Sequence, residues 1–148
     1  MAVRSRSQVR GERHFVDTGA WFAYVNVADP DHQRVRLILD APRGRLVTSS
    51  YVFDETVTLT QARLGHRRAV TIGRTLLDLA VVELLSIAPA DERAAWSLFE
   101  KRPDKSYSFT DCTSFVLMRR ERIGTAVALD QHFTQEGFVV VPAASPGR

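Results

Sequence analysis

His14–Asn26 reads HFVDTGAWFAYVN, and the change of rhythm inside it decides the fold. His14, Phe15 and Val16 form a short β-like run ending at Asp17, after which the apolar residues fall at helical spacing with Thr18 in the position of an N-cap. A strand that runs straight into a helix is the opening half of a βαβ unit. The same rhythm repeats. RLVTSS (Arg45–Ser50), VVELLSI (Val81–Ile87), AVALD (Ala126–Asp130) and FVVVP (Phe138–Pro142) read as further strands, the last at a sheet edge because Pro142 lacks an N–H. Helices are predicted from Asp29, with Pro30 at its first position and Val35, Ile38 and Leu39 on its inner face, and over Tyr51–Leu64, stopped by Gly65. Further helices are predicted over His66–Leu79, Pro89–Arg102 and Asp111–Arg122. Strands alternating with helices predict a mainly parallel central sheet in a three-layer α/β/α sandwich.

At 148 residues the chain is long enough for one core that buries about two-thirds of the unfolded surface. A single domain over 14–143 is expected, flanked by a flexible basic segment, 1–13, with Arg4, Arg6, Arg10 and Arg13, and a flexible tail, 144–148. One cysteine makes no internal disulfide, and the longest apolar run, Leu76–Ile87, contains Asp78 and Glu83 and falls short of the ~20 residues needed to span a bilayer. A soluble cytoplasmic protein with no membrane partner is the resulting expectation. Cys112 has no His or Asp pairing that would make it a nucleophile and reads as a small buried thiol. Neither G-x-G-x-x-G nor G-x-x-x-x-G-K occurs, which removes support for a dinucleotide or P-loop site.

In parallel sheets ligands bind beyond the carboxyl ends of the strands, where the strand order reverses. Asp17 ends the first strand, Asp130 ends the fourth, and Asp111 opens the helix that leads into the fourth, so all three belong to one rim. Glu55 lies early in the helix after the second strand and shares a face with Val52 and Leu59, which turns it inward; Asp54 shares the opposite face with Thr58 and Gln61. Each acid alone is equally a cap or a surface residue. Together they make an all-carboxylate cluster, which suits a hard ion such as Mg²⁺ or Mn²⁺ that retains part of its water shell. Thr18 and Thr110 stand beside two of these acids and are placed to orient them.

FVDTGAW (15–21), SSYVFDETVTL (49–59), SFTDCTSFVLMRRERI (108–123) and AVALDQHF (126–133) with the following GF resemble, in order, the acidic motifs of PIN-domain ribonucleases, most closely those of VapC toxins of toxin–antitoxin pairs. The resemblance implies that Asp17, Glu55, Asp111 and Asp130 form a Mg²⁺ or Mn²⁺ site, with Thr110 at the family's frequent Ser/Thr position. It also implies endonucleolytic cleavage of RNA, a homodimer and inhibition by an antitoxin. Ala128 and Leu129 stand where relatives more often carry a hydroxyl two residues before the last acid. Alternatives are a housekeeping PIN nuclease that matures RNA and a non-catalytic α/β binding module.

The charge balance, 20 Lys plus Arg against 17 Asp plus Glu for a net +3, points only weakly to nucleic acid. Its clusters say more: Arg63, Arg67 and Arg68 in RLGHRR, and Arg119 and Arg120 in MRRER, are candidate backbone contacts for RNA, against the plainer reading of solvated helix surface.

Overall fold

In the computed structural model, which describes residues 11–143, five short strands form one wholly parallel sheet: β1 (Arg13–Val16), β2 (Arg45–Ser49), β3 (Val82–Leu85), β4 (Thr125–Val127) and β5 (Val139–Val141). Their order is β3-β2-β1-β4-β5. Parallel neighbours require crossover connections, and here helices supply them: α1 (Thr18–Val25), α2 (His32–Asp40), α3 (Ser50–Leu64), α4 (His66–Leu77), α5 (Pro89–Glu100), α6 (Phe109–Arg120) and the short α7 (His132–Gln135). Right-handed crossovers assign α1–α4 to one face, where α1 packs on α2, α3 and α4. They assign α5–α7 to the other, where α5 packs along α6. This is the predicted α/β/α sandwich, with β5 at an edge as expected.

The central strands are apolar on both sides, as a doubly covered sheet demands. Phe15, Val16, Val47, Ala126 and Val127 are wholly buried. Trp21 is buried too, and its indole N–H donates to Thr48 Oγ1, which in turn donates to the Val16 carbonyl, so the one polar atom of the ring is satisfied inside the core. Phe133 in α7 packs against Phe15, Phe115 and Phe138, with ring centroids 5.0 Å from Phe115. A four-residue helix has little stability of its own, so this ring is what fastens α7 and the loop before it to the sheet. Phe133→Ala is expected to cost ~3–5 kcal/mol, a large share of the ~5–15 kcal/mol typical of a domain; urea denaturation with an unchanged midpoint would contradict it.

Several boundaries differ from the sequence reading. Asp29 does not cap α2: its Oδ1 accepts the Asp31 N–H at 2.8 Å in a local turn that takes in Pro30, and the helix starts at His32 with Asp31 at the N-cap position. Asp17 rather than Thr18 occupies the N-cap position of α1. β4 stops at Val127, which leaves Asp130 in the bend beyond the strand. The expected flexible segment 1–13 loses its last residues to the fold. Arg13 begins β1, its guanidinium donates to the Glu121 carbonyl at 2.7 Å, and the Glu12 carbonyl accepts the Arg45 N–H. Glu12 passes so close to Gly44 that a Cβ there would lie 2.0 Å from the Glu12 carbonyl oxygen, which only glycine permits. The remainder of segment 1–13, residues 1–10, and the tail 144–148 lie outside the described residues. No helix among the described residues is long and apolar enough to cross a membrane.

Candidate active site

From β1 the chain moves to β2 and β3 on one side, while β4 and β5 lie on the other, so the crevice between the carboxyl ends of β1 and β4 is the switch point of the sheet. Asp17 stands at its centre. Its N–H donates to the Val127 carbonyl of β4 at 3.0 Å, while its own carbonyl accepts from Ala20 and Trp21 in the first turn of α1. The backbone of Asp17 is thereby fixed by both neighbours, and its carboxylate is left over, since it makes no capping bond. The residue as a whole is only 5% exposed.

Asp17's acidity shows what surrounds it. Burial pushes its pKa well above the ordinary carboxylate value, and the charges of Asp111, Asp130 and Glu55 push it further in the same direction; the Thr18 backbone N–H offsets only part of this. The four acids singled out from the sequence therefore meet electrostatically at one place. Glu55 is half-buried on α3 and Asp54 exposed, as the facing of that helix predicted. Asp130 is the most open of the four, with 44% of its side chain exposed.

Asp111 is held differently from the sequence reading. α6 is capped by Ser108, whose hydroxyl accepts the Asp111 N–H at 3.0 Å, while Asp111 Oδ2 accepts the Ser108 N–H at 2.9 Å. The spacing Ser108-x-x-Asp111 is a capping box, a signal present in SFTD that could have been read directly. The reciprocal bonds make Asp111 a rigid member of the rim. The Thr18 hydroxyl is buried beside Asp17 without a hydrogen-bond partner among the described residues, and Thr110 is half-buried, its carbonyl accepting from the Thr113 and Ser114 hydroxyls. Cys112, fully buried, has its thiol pushed up to about 11, chiefly by burial, and is inert at neutral pH.

His132, the residue two places after Asp130 in AVALDQHF, also enters the site, its Nδ1 2.9 Å from Asp111 Oδ2 and 3.7 Å from Asp130 Oδ2.

The donor set fits a hard cation. A buried carboxylate among like charges is what an ion would relieve, and oxygen ligands are what Mg²⁺ and Mn²⁺ prefer. Among the described residues no three Asp, Glu, His or Cys side chains converge closely enough to ligate one ion together. Mg²⁺ needs no such convergence, because it is commonly taken by one or two carboxylates and keeps several waters.

The candidate RNA-binding arginines are not gathered at the rim. Arg119 and Arg102 both grip Glu136, at 2.8 Å each. Burial of Glu136 opposes its ionisation, yet hydrogen bonds from the two arginines hold its pKa below the usual range. Arg120 makes a two-bond contact with the buried Asp91, each bond 3.0 Å. Arg67 and Arg68 line a groove of about 690 Å³ with Tyr24, Val25, Arg36 and Ile72. Arg68 also reaches toward the Val25 carbonyl, one full length of α1, about 12 Å, from the Asp17 end. Arg63 lies in the last turn of α3 and is exposed. A second cleft, about 530 Å³, opens beside Asp130 between Arg34, Leu129, Gln131 and Thr134.

The PIN domain family matches residues 14–138. The chain is 36% identical over 127 residues to the 23S rRNA-specific endonuclease VapC20 of Mycobacterium tuberculosis, covering 86% of this chain and 96% of that protein. The crystal structure of VapC20, described as a sarcin-ricin loop cleaving toxin, superposes with a TM-score of 0.80 at 34% identity over 84% of this chain and 95% of that one. VapBC2 of Rickettsia felis, solved with a DNA fragment from its promoter, shares the fold at a TM-score of 0.64 and 11% identity, over 86% of this chain and 96% of that one. By its match to the family and its likeness to VapC20 in sequence and fold, the chain belongs to the PIN-domain family, in its VapC group.

Proposed function

We propose that this protein is a Mg²⁺- or Mn²⁺-dependent endoribonuclease and the toxin of a toxin–antitoxin pair. The observation that carries the reading is Asp17: buried, fixed at the switch point and crowded by Asp111, Asp130 and Glu55. Asp17, Asp111, Glu55 and Asp130 would hold the cation, Asp17 and Asp111 being the two buried acids of the four. When bound, the cation polarises a phosphodiester and makes a water acidic enough to act as nucleophile. The chain's own residues fix where this happens: the Ser108 capping box holds Asp111, and the strand-to-helix turn holds Asp17. The cleft beside Asp130 is open to a nucleotide flanking the cleaved bond. Arg63, Arg67 and Arg68 remain the candidates for backbone contact, because Arg119 and Arg120 are engaged with buried carboxylates. Since the VapC20 relative is named for 23S rRNA, that RNA is the substrate to examine first. The assignment is tested by inducing the parent, Asp17→Asn and Asp111→Asn in cells and sequencing RNA ends. Growth arrest and new ends are expected from the parent alone, and equal arrest and cleavage by both variants would refute it.

A homodimer is part of the same proposal. Trp96 is 54% and Phe99 40% exposed on α5, stacked at 5.7 Å, and Trp96 meets Phe109 edge-on near the start of α6. An exposed aromatic face of this kind marks an interface. Light scattering is expected to give a dimer at micromolar concentration and a monomer for Trp96→Lys; a parent that is monomeric removes this part. The antitoxin is proposed to lie in the groove between α1, α2 and α4 and to reach the rim with an Arg or Lys, whose charge suits the acids there. An antitoxin that inhibits fully after its basic residues are changed to alanine would contradict that.

A further inference from the structure

His132 is the one member of the rim that the acidic pattern does not explain. Its imidazole Nδ1 lies 2.9 Å from Asp111 Oδ2, its backbone N–H donates to Asp130 Oδ1 at 3.0 Å, and its Nε2 lies 3.3 Å from the Ser106 hydroxyl. The ring stands edge-on to Tyr107, with centroids 5.3 Å apart, which fixes its plane. One residue thus touches two of the four acids, which come from different parts of the chain.

The bond to Asp111 is asymmetric. Asp111 Oδ2 takes both the His132 Nδ1 contact and the Ser108 N–H, whereas Oδ1 accepts no hydrogen bond among the described residues. An ionised carboxylate only accepts, so the contact requires the proton on Nδ1; in the neutral ring the Ser106 hydroxyl then donates to Nε2. Two donors on one oxygen lock the rotation of the carboxylate and leave the other oxygen unoccupied.

We propose that His132 is a positioning residue: it holds Asp111 Oδ2 so that Oδ1 is presented to the divalent cation, and through its backbone it ties Asp130 to the same frame. This rests on the proposed metal-dependent function and extends it to a residue outside the acidic quartet. Anchoring of α7 is a separate matter. Phe133 is the wholly buried side chain of that helix, while 22% of the His132 side chain is exposed. Loss of the imidazole therefore leaves the packing of α7 in place.

The test is Mn²⁺ binding to the purified protein, followed by calorimetry and by the Mn²⁺ electron paramagnetic resonance spectrum, for the parent, His132→Ala, His132→Asn and His132→Gln. Outer partners of metal ligands typically contribute 10–100-fold to affinity, and a loss in that range is expected for His132→Ala. The Asn amide nitrogen falls near the place of Nδ1 and is expected to restore most of the affinity. The Gln amide nitrogen falls near Nε2 and should behave as Ala does. Asn and Gln both fill the site, so their comparison stands even if the Ala variant folds poorly. Equal affinities for Asn and Gln, or a folded Ala variant that binds Mn²⁺ as the parent does, would overturn the proposal. A parent that takes up no Mn²⁺ would overturn the function on which it rests and this role with it.

Discussion

Asp111→Asn is expected to lower the rate of RNA cleavage on the order of 10³-fold, about 4 kcal/mol of transition-state stabilisation, while moving the melting temperature by only a few degrees. The two effects separate because Asp111 has two jobs on two oxygens. Oδ2 accepts from the Ser108 N–H and from His132, and an Asn oxygen can still accept from the backbone, so the helix keeps its cap. What disappears is the negative charge and the second oxygen. A charge in the first turn of a helix is worth about 0.3–1 kcal/mol, and its loss is countered here by the removal of a repulsive neighbour of Asp17. Cleavage assays and thermal melts on the same preparations check both halves. A variant that retains cleavage within a few-fold of the parent would exclude Asp111 from the chemistry.

Asp17→Asn has the opposite signature: lost activity together with a gain in stability of the metal-free protein. Asp17 is raised well above its ordinary pKa by burial and then by Asp111, Asp130 and Glu55. The folded protein thus holds this proton more tightly than the unfolded chain does, and ionisation at neutral pH works against the fold. Its share of the metal-free stability is fully present below the unfolded-chain value, and is lost as pH rises through the raised folded value. Asn has no such titration. A gain of ~1–2 kcal/mol, roughly 3–8 °C in a chain of this size, is expected at pH 7, narrowing as the pH falls toward 4. Mn²⁺ reverses the ranking, since saturation at 100 times the dissociation constant adds about 2.7 kcal/mol to the parent and nothing to a variant without the site. Melts at pH 7 and pH 4.5, with and without Mn²⁺, check the crossing. A variant less stable than the metal-free parent at pH 7 would show that Asp17 is a structural carboxylate.

The residues that carried the fold in the sequence were local ones. Phe15 and Val16 followed by Asp17 and the helical spacing from Trp21 onward are features within a dozen residues, and the pleated and helical periods write themselves directly into such stretches. Four acids at strand ends and helix starts followed from the same pattern, because parallel topology puts all those termini on one rim. Other features depend on partners far apart in the chain. Arg120 stands 29 positions from Asp91, and Arg119 stands 17 from Glu136, so MRRER read as free basic surface although two of its arginines are bound to buried carboxylates. His132 is 21 positions from Asp111, and only the folded crevice brings them together. At Asp29 the local signals competed. Asp followed by Pro suits both a helix start and a turn, and the Asp29–Asp31 bond decided for the turn.

If the carboxylates at the β1–β4 crevice serve RNA hydrolysis through a divalent cation, cleavage by the purified protein must follow the removal and return of its metal. The protein is incubated with ribosomal RNA after exhaustive EDTA treatment, then with Mg²⁺ or Mn²⁺ restored, alongside Asp111→Asn under the same conditions. Defined new RNA ends are expected with either cation, none with EDTA and none from the variant with metal restored. Cleavage at the same positions that persists undiminished in EDTA, or that the variant performs as well as the parent, would contradict it.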